Sequence, residues 1–202
     1  MKTNDNLRMM IFAALFTALM VVGAQIKVPI GPVPIVLSNM FVLLAGLVLG
    51  FRWGLASVGL YLLLGFIGLP IFASGGGPSY FAGPTGGYLV GFVPAVAIVG
   101  GLPRIGRPHP IKDILALVLA SLVLYAIGVP WLRSAIEGMT WKAAFANGMT
   151  PFLLGDALKA AAAFAIVTAL RQGTEDLIPT VSRYGSARFS GAAAEGQPPS
   201  TA

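Results

Sequence analysis

Pro151-Phe-Leu-Leu-Gly-Asp-Ala-Leu-Lys-Ala-Ala-Ala-Ala-Phe-Ala-Ile-Val-Thr-Ala-Leu170 is the stretch on which the reading of this chain turns. As a helix rising 1.5 Å per residue it spans the roughly 30 Å hydrocarbon layer of a bilayer. It is apolar except for Asp156 and Lys159, and no other long apolar run holds a charge in its interior. Each such charge near the middle of a membrane helix costs about 2.5–3.5 kcal/mol on the insertion scale. At i and i+3 the two side chains share one helix face, where they meet each other or a common polar ligand. A bound substrate is the favoured source of the compensating energy. A salt bridge that only fixes helix packing is the weaker alternative, because buried pairs often add little net stability.

Working outward, the 202 residues are 56% hydrophobic and 10% charged, where a soluble domain is about one-quarter charged. With a mean hydropathy of +0.84, the chain reads as an integral membrane protein. The absence of cysteine excludes disulfides, a thiol nucleophile and a Cys-ligated metal. The one histidine, His109, lies in a Pro-rich loop, so neither a metal site nor a cofactor is expected. The net charge of +6 sits beside apolar runs, which points to a lipid bilayer and not to nucleic acid.

Apolar runs predict six membrane helices at 9–23, 35–50, 53–69, 87–102, 114–129 and 151–170, in an all-α fold. Their Leu, Ala, Val and Gly content without strict alternation favours helices over barrel strands. One side of such a bundle holds nine basic residues, Lys2, Arg8, Arg52, Arg104, Arg107, Lys112, Arg171, Arg183 and Arg188, against Lys27, Arg133 and Lys142 on the other. The positive-inside rule then places both termini in the cytoplasm. Lys2 and Arg8 ahead of Met9–Ala24 also fit a cleavable leader, but its removal would spoil that balance. Residues 1–170 form a membrane substrate-binding domain, and the polar segment 171–202 reads as a disordered cytoplasmic tail. No internal repeat supports an inverted-repeat transporter.

In this topology the last span runs inward from Pro151, so Asp156 and Lys159 lie about 8 and 12 Å below its outer end. Two outer connections stand above them. Ala24–Pro34 carries three prolines and predicts stiff, extended chain. Pro70–Gly87 is 18 uncharged residues mixing glycines with Phe72, Tyr80 and Phe81, the composition of a lid. A plug or re-entrant segment without ligand is the alternative for both. Gly83-Pro-Thr-Gly-Gly-Tyr88 opens the fourth span, where backbone N–H groups around Gly86 and the Thr85 hydroxyl can turn toward a small polar molecule.

Ile30-Gly-Pro-Val-Pro-Ile-Val-Leu-Ser-Asn-Met-Phe-Val-Leu-Leu-Ala-Gly46, Gly68-Leu-Pro70, Gly83–Tyr88 and Pro151–Lys159 follow one another as in the BioY family, which this chain resembles over residues 9–170. BioY proteins are the biotin-specific substrate-capture (S) components of energy-coupling factor transporters. The resemblance implies six membrane helices and a biotin site near the outer surface, closed by the first and third loops. It also implies partnership with a membrane T component and two cytoplasmic ATPases. This chain has no P-loop sequence of its own. The family's helix-one docking pattern is matched by Ala14-Leu-Phe-Thr-Ala18, although the same spacing serves ordinary helix packing. Ser38-Asn39 stands where many relatives have Gln-Thr, and Leu89 where some carry arginine.

Biotin presents a ureido ring with two N–H donors and a carbonyl, an apolar thiophane and chain, and a carboxylate. Asp156 suits a ureido N–H and Lys159 the carbonyl. Ser38, Asn39 and Thr85 are further hydrogen-bonding residues, and Tyr88, Tyr80 and Phe72 suit the ring system. The alternatives are an S component for a different vitamin, or an intramembrane enzyme using Asp156 and Lys159 as an acid–base or amine centre. The second lacks any Ser–His, Cys–His or metal constellation, so no catalytic residue is assigned. Gly46/Gly50 and Gly87/Gly91 permit close helix approach within one chain or between copies in a homo-oligomer.

Overall fold

The computed structural model of the chain describes residues 3–104 and 109–173. Helix α1 (Thr3–Gln25) leads to a small antiparallel pair, β1 (Lys27–Val28) and β2 (Ile35–Val36), and then to α2 (Ser38–Phe66). A short α3 (Pro78–Ala82) precedes α4 (Gly86–Gly101), a 3-10 turn (Leu102–Arg104), α5 (Pro110–Ala135), α6 (Trp141–Gly148) and α7 (Thr150–Gly173). The expected tail lies outside the described residues beyond position 173.

Among the described residues five helices are long and apolar enough to cross a membrane: Asp5–Gln25, Ser38–Phe66, Gly86–Arg104, Pro110–Ala135 and Trp141–Leu170. The difference from the six expected runs lies in α2. Its residues 38–49 and 51–66 correspond to the second and third predicted spans, and the join between them is the single residue Gly50, at φ +83° and ψ −174°. The chain doubles back there. In a straight helix residues 46 and 54 would stand about 12 Å apart, yet a Cβ on Gly54 would lie 3.3 Å from Gly46 Cα and 3.3 Å from the Ala45 carbonyl oxygen. Only a glycine adopts this φ without strain.

Arg104 closes the turn. Its guanidinium donates to the carbonyls of Gly46 (3.3 Å), Leu47 (3.2 Å), Val48 (3.5 Å) and Gly100 (2.9 Å). These are the end-of-helix carbonyls that a helix cannot satisfy internally, so a charge here completes two helix termini at once. Close packing of α4 on the turn needs small residues, since a Cβ on Gly100 would meet the Phe51 nitrogen at 2.6 Å.

Helix α1 packs on α2 through Met9, Ala13, Phe16, Met20 and Ala24, a stripe at helical spacing. Buried Thr17 adds a polar clasp, its hydroxyl 3.0 Å from the Ser57 carbonyl and 3.2 Å from the Ser57 hydroxyl. The helix thus contributes to the core. Its other face exposes Leu7, Met10, Ile11, Leu15 and Val22, a surface suited to lipid.

The two connections at the far end of α1 are more structured than expected. Ala24–Pro34 is extended, but as a β-turn-β unit pairing Lys27 with Val36 and Val28 with Ile35, with Gly31 at φ +66°. Within Pro70–Gly87, α3 forms at Pro78. Helix α6 was not anticipated; it begins at Thr140, whose hydroxyl accepts from the Ala143 N–H at 3.2 Å. His109 is likewise an N-cap, its Nδ1 accepting from the Ile111 N–H at 3.2 Å.

Candidate functional site

Asp156 and Lys159 occupy consecutive turns of α7 and meet at 3.0 Å, with side chains only 8% and 12% exposed. The second carboxylate oxygen of Asp156 accepts from the Tyr125 hydroxyl of α5 at 2.6 Å. The carboxylate is therefore held from two sides, which fixes its plane. Lys159 has three N–H donors, and one of them serves Asp156. Both side chains face a cavity of about 70 Å³ lined by residues of α1, α2, α4, α5, α7 and the two connections.

The cavity gathers residues that are far apart in sequence. Of the nine residues expected to bind substrate, Asp156, Lys159, Tyr88, Thr85, Ser38, Asn39, Tyr80 and Phe72 line it. Ser38 and Asn39 are buried at the start of α2. Tyr88 is fixed by two glycines. A Cβ on Gly128 would lie 2.4 Å from its ring and one on Gly148 2.5 Å from its hydroxyl oxygen, and that hydroxyl donates to the Gly148 carbonyl at 2.6 Å. Phe152 of α7 stacks on Tyr88 at 6.3 Å.

The opposite wall is aromatic. Phe72 is fully buried, stacked on Tyr80 at 5.2 Å and edge-on to Tyr61 and Phe81. Its ring rests where Gly65 lacks a side chain, since a Cβ there would fall 1.9 Å from the ring. Gln25 Nε2 donates to the Phe72 carbonyl at 3.4 Å, and Lys27 Nζ donates to the Ala73 carbonyl, so the end of α1 and β1 hold the 70–87 connection down. Adjoining the cavity is a second recess of about 400 Å³, bounded by Ser74–Gly76, Ser79 and Pro32 and sharing Pro34, Tyr80 and Thr85 with it.

Gly86 is the exception among the expected residues. It does not line the cavity, and a Cβ on it would lie 1.7 Å from the Phe81 carbonyl oxygen. The N–H groups of Gly86 and Tyr88 are already given to the Gly83 and Thr85 carbonyls at 3.1 Å each. Trp131 donates from Nε1 to the Gly83 carbonyl at 3.1 Å, and its Cβ stands 2.2 Å from where a Gly87 Cβ would be. Gly86 and Gly87 thus permit close packing, Gly86 against the Phe81 backbone and Trp131 and Gly87 against Trp131 and Ile127 of α5. Gly46, Gly50, Gly87 and Gly91 all find their close neighbours inside the chain. Ala14 and Ala18 are exposed on α1, outside its core stripe.

Sequence reasoning missed Tyr125, Tyr61 and Phe152. Tyr125 left a usable signal: a hydroxyl within an apolar span seeks a partner, and Asp156 was the one span-interior acceptor carrying charge.

The BioY family model matches residues 1–176 of the chain. The chain is 43% identical over 162 residues to a probable biotin transporter BioY of Pyrococcus horikoshii, covering 80% of this chain and 94% of the relative. It is 39% identical over 168 residues to the biotin transporter BioY of Thermotoga maritima, covering 82% and 97%. Its structure matches the crystal structure of the S-component for biotin from an ECF-type ABC transporter with a TM-score of 0.77 at 29% identity, over 85% of this chain and 95% of the other.

Proposed function

The chain belongs to the BioY family, and from that premise we infer that it captures biotin for uptake as the S component of an energy-coupling factor transporter. It is a multi-pass membrane protein that binds a substrate, not an enzyme. The observation that carries the reading is a salt-bridged Asp156–Lys159 pair facing a mostly apolar cavity inside a membrane bundle. An uncharged, planar, hydrogen-bonding ligand group answers that pair better than a charged one, because the pair is already neutral in sum.

The biotin ureido group fits there. Asp156 keeps free lone pairs for its N–H groups, and Lys159 keeps two N–H donors for its carbonyl. Tyr88, Phe72 and Tyr80 offer ring faces to the bicycle, and Ser38, Asn39 and Thr85 supply hydroxyl and amide groups at the cavity edge. A site that pairs every polar atom discriminates strongly, since an analogue lacking one leaves a buried group unpaired.

With α2 counted as two antiparallel spans about Gly50, the chain crosses the cell membrane six times with both termini in the cytoplasm. Residues 1–170 then form the substrate-binding domain, with 171–202 as a cytoplasmic extension. The binding cavity opens outward beneath the first and third outer loops. Uptake then requires a membrane T component and two cytoplasmic ATPases, and the exposed Ala14 and Ala18 offer a flat face of α1 for such a partner.

The test is capture by the purified chain. Detergent-solubilised or nanodisc-embedded protein should bind one biotin per chain tightly by calorimetry, release it chemically unchanged, and hold it through washing so that mass spectrometry of the extract finds it. A chain that prefers another vitamin, or converts its ligand, refutes the reading.

A further inference from the structure

Lys27 is the unneutralised cation beside this cavity. It is exposed on β1, and its ammonium donates to the carbonyl of Ala73, which lines the cavity beside Phe72 and Ala24. No acidic side chain among the described residues pairs with it. None is nearby in sequence either, for the chain holds no Asp or Glu between Asp5 and Asp113. The other basic groups expected at this end are differently placed. Lys159 is matched by Asp156 at 3.0 Å, and Arg133 lies over the Trp141 ring at 4.6 Å, outside the cavity lining along with Lys142.

A ligand carrying one carboxylate therefore meets two unlike ends. Beside Asp156 a second carboxylate would face a charge of its own sign, and the Lys159 charge there is already balanced by Asp156. At the rim, Lys27 offers a full positive charge with two N–H donors beyond the one given to Ala73. Its four-carbon stem lets the ammonium move from the Ala73 carbonyl to an acid without moving the backbone.

We propose that Lys27 binds the carboxylate of the captured ligand at the cavity rim and so sets which way round the ligand enters. This rests on the biotin reading above and adds the polarity of the bound molecule: ureido ring inward to Asp156 and Lys159, carboxylate outward to Lys27. The same contact joins the first outer connection to the third through the ligand, in place of the direct Lys27–Ala73 tie.

Biotin and its uncharged carboxamide, titrated into purified wild type, Lys27→Ala and Lys27→Arg, test this. A charge-assisted contact at a partly solvated rim should favour biotin over the carboxamide by roughly five- to tenfold in wild type. Lys27→Ala should erase that preference by weakening biotin alone, and Lys27→Arg should keep it. Raised ionic strength should narrow the wild-type preference and leave carboxamide binding unchanged. If Lys27→Ala weakens both ligands equally, the residue is only a loop tie and the proposal fails. It also fails if the preference survives in Lys27→Ala. Wild type that captures neither ligand overturns the biotin reading itself, and this inference with it.

Discussion

Arg104 and Lys159 are both cations drawn into the bundle, at its opposite ends, and they are held in different ways. Arg104 spreads its donors over the carbonyls of Gly46, Leu47, Val48 and Gly100, where two helices end. Lys159 meets one carboxylate and then faces open space. The helices that carry them differ as well. The apolar window of α2, whose turn Arg104 closes, is 67% buried, whereas that of the segment containing α7 is 17% buried. A cation whose donors are consumed by backbone builds structure; one that keeps donors beside a cavity is available to a guest. The most buried part of this molecule is therefore its scaffold, and the site sits on a helix that the scaffold only partly covers.

The sharpest way to break this comparison is to remove each charge in turn. Lys159→Ala and Asp156→Asn should each weaken biotin binding by about 100-fold or more, since each removes a charge-assisted contact and strands its partner. Titration calorimetry on the purified variants measures this. Arg104→Ala should instead lower the thermal unfolding midpoint, with about 2–3 kcal/mol of stability lost, while the folded fraction keeps its biotin affinity within about threefold. Equal affinity losses in Arg104→Ala and Lys159→Ala would erase the distinction.

Gly50→Ala probes the scaffold side more gently. The φ +83°, ψ −174° backbone of Gly50 lies in a region open essentially to glycine alone and costs a residue with a Cβ about 1–3 kcal/mol, and this Cβ would also stand 2.9 Å from Arg104 Cζ. The expected result is a lower unfolding midpoint with unchanged biotin affinity. Tyr125→Phe sharpens the site side. Asp156 would lose the donor at 2.6 Å that orients it, and biotin affinity should fall about three- to tenfold, the worth of about one hydrogen bond. Stability should hardly change, because phenylalanine fills the same space.

These pairs also show what could be read without coordinates. Hydropathy located an apolar run in each of the five membrane-length helices among the described residues, because the cost of exposing polar groups to lipid accrues residue by residue along the chain. The same logic singled out Asp156 and Lys159, and the Gly/Pro-rich connections above them followed from backbone stiffness. The turn at Gly50 was placed among residues 51 and 52, since a one-residue reversal leaves hydropathy uninterrupted and is betrayed only by φ. Gly86 was assigned to the ligand because a glycine looks alike whether a substrate or a tryptophan approaches it. Here the Phe81 carbonyl oxygen, 1.7 Å from where a Cβ would be, and Trp131 Nε1, at 3.0 Å, are the neighbours. Tyr125 was overlooked for a related reason: the register that brings α5 beside α7 depends on packing between helices, which no local property of either encodes.

The small size of the inner cavity has a kinetic meaning. A volume of about 70 Å³ holds a few waters but falls short of the roughly 300 Å³ at which drug-sized ligand pockets begin. Binding should therefore widen the cavity, most readily by displacing the 24–34 and 70–87 segments that line it, and association is expected to run below the 10⁵–10⁷ M⁻¹s⁻¹ of preformed sites. Exit waits on the same event. Slow release should then contribute more to the affinity than rapid encounter does, and dissociation rates measured on the purified chain check this.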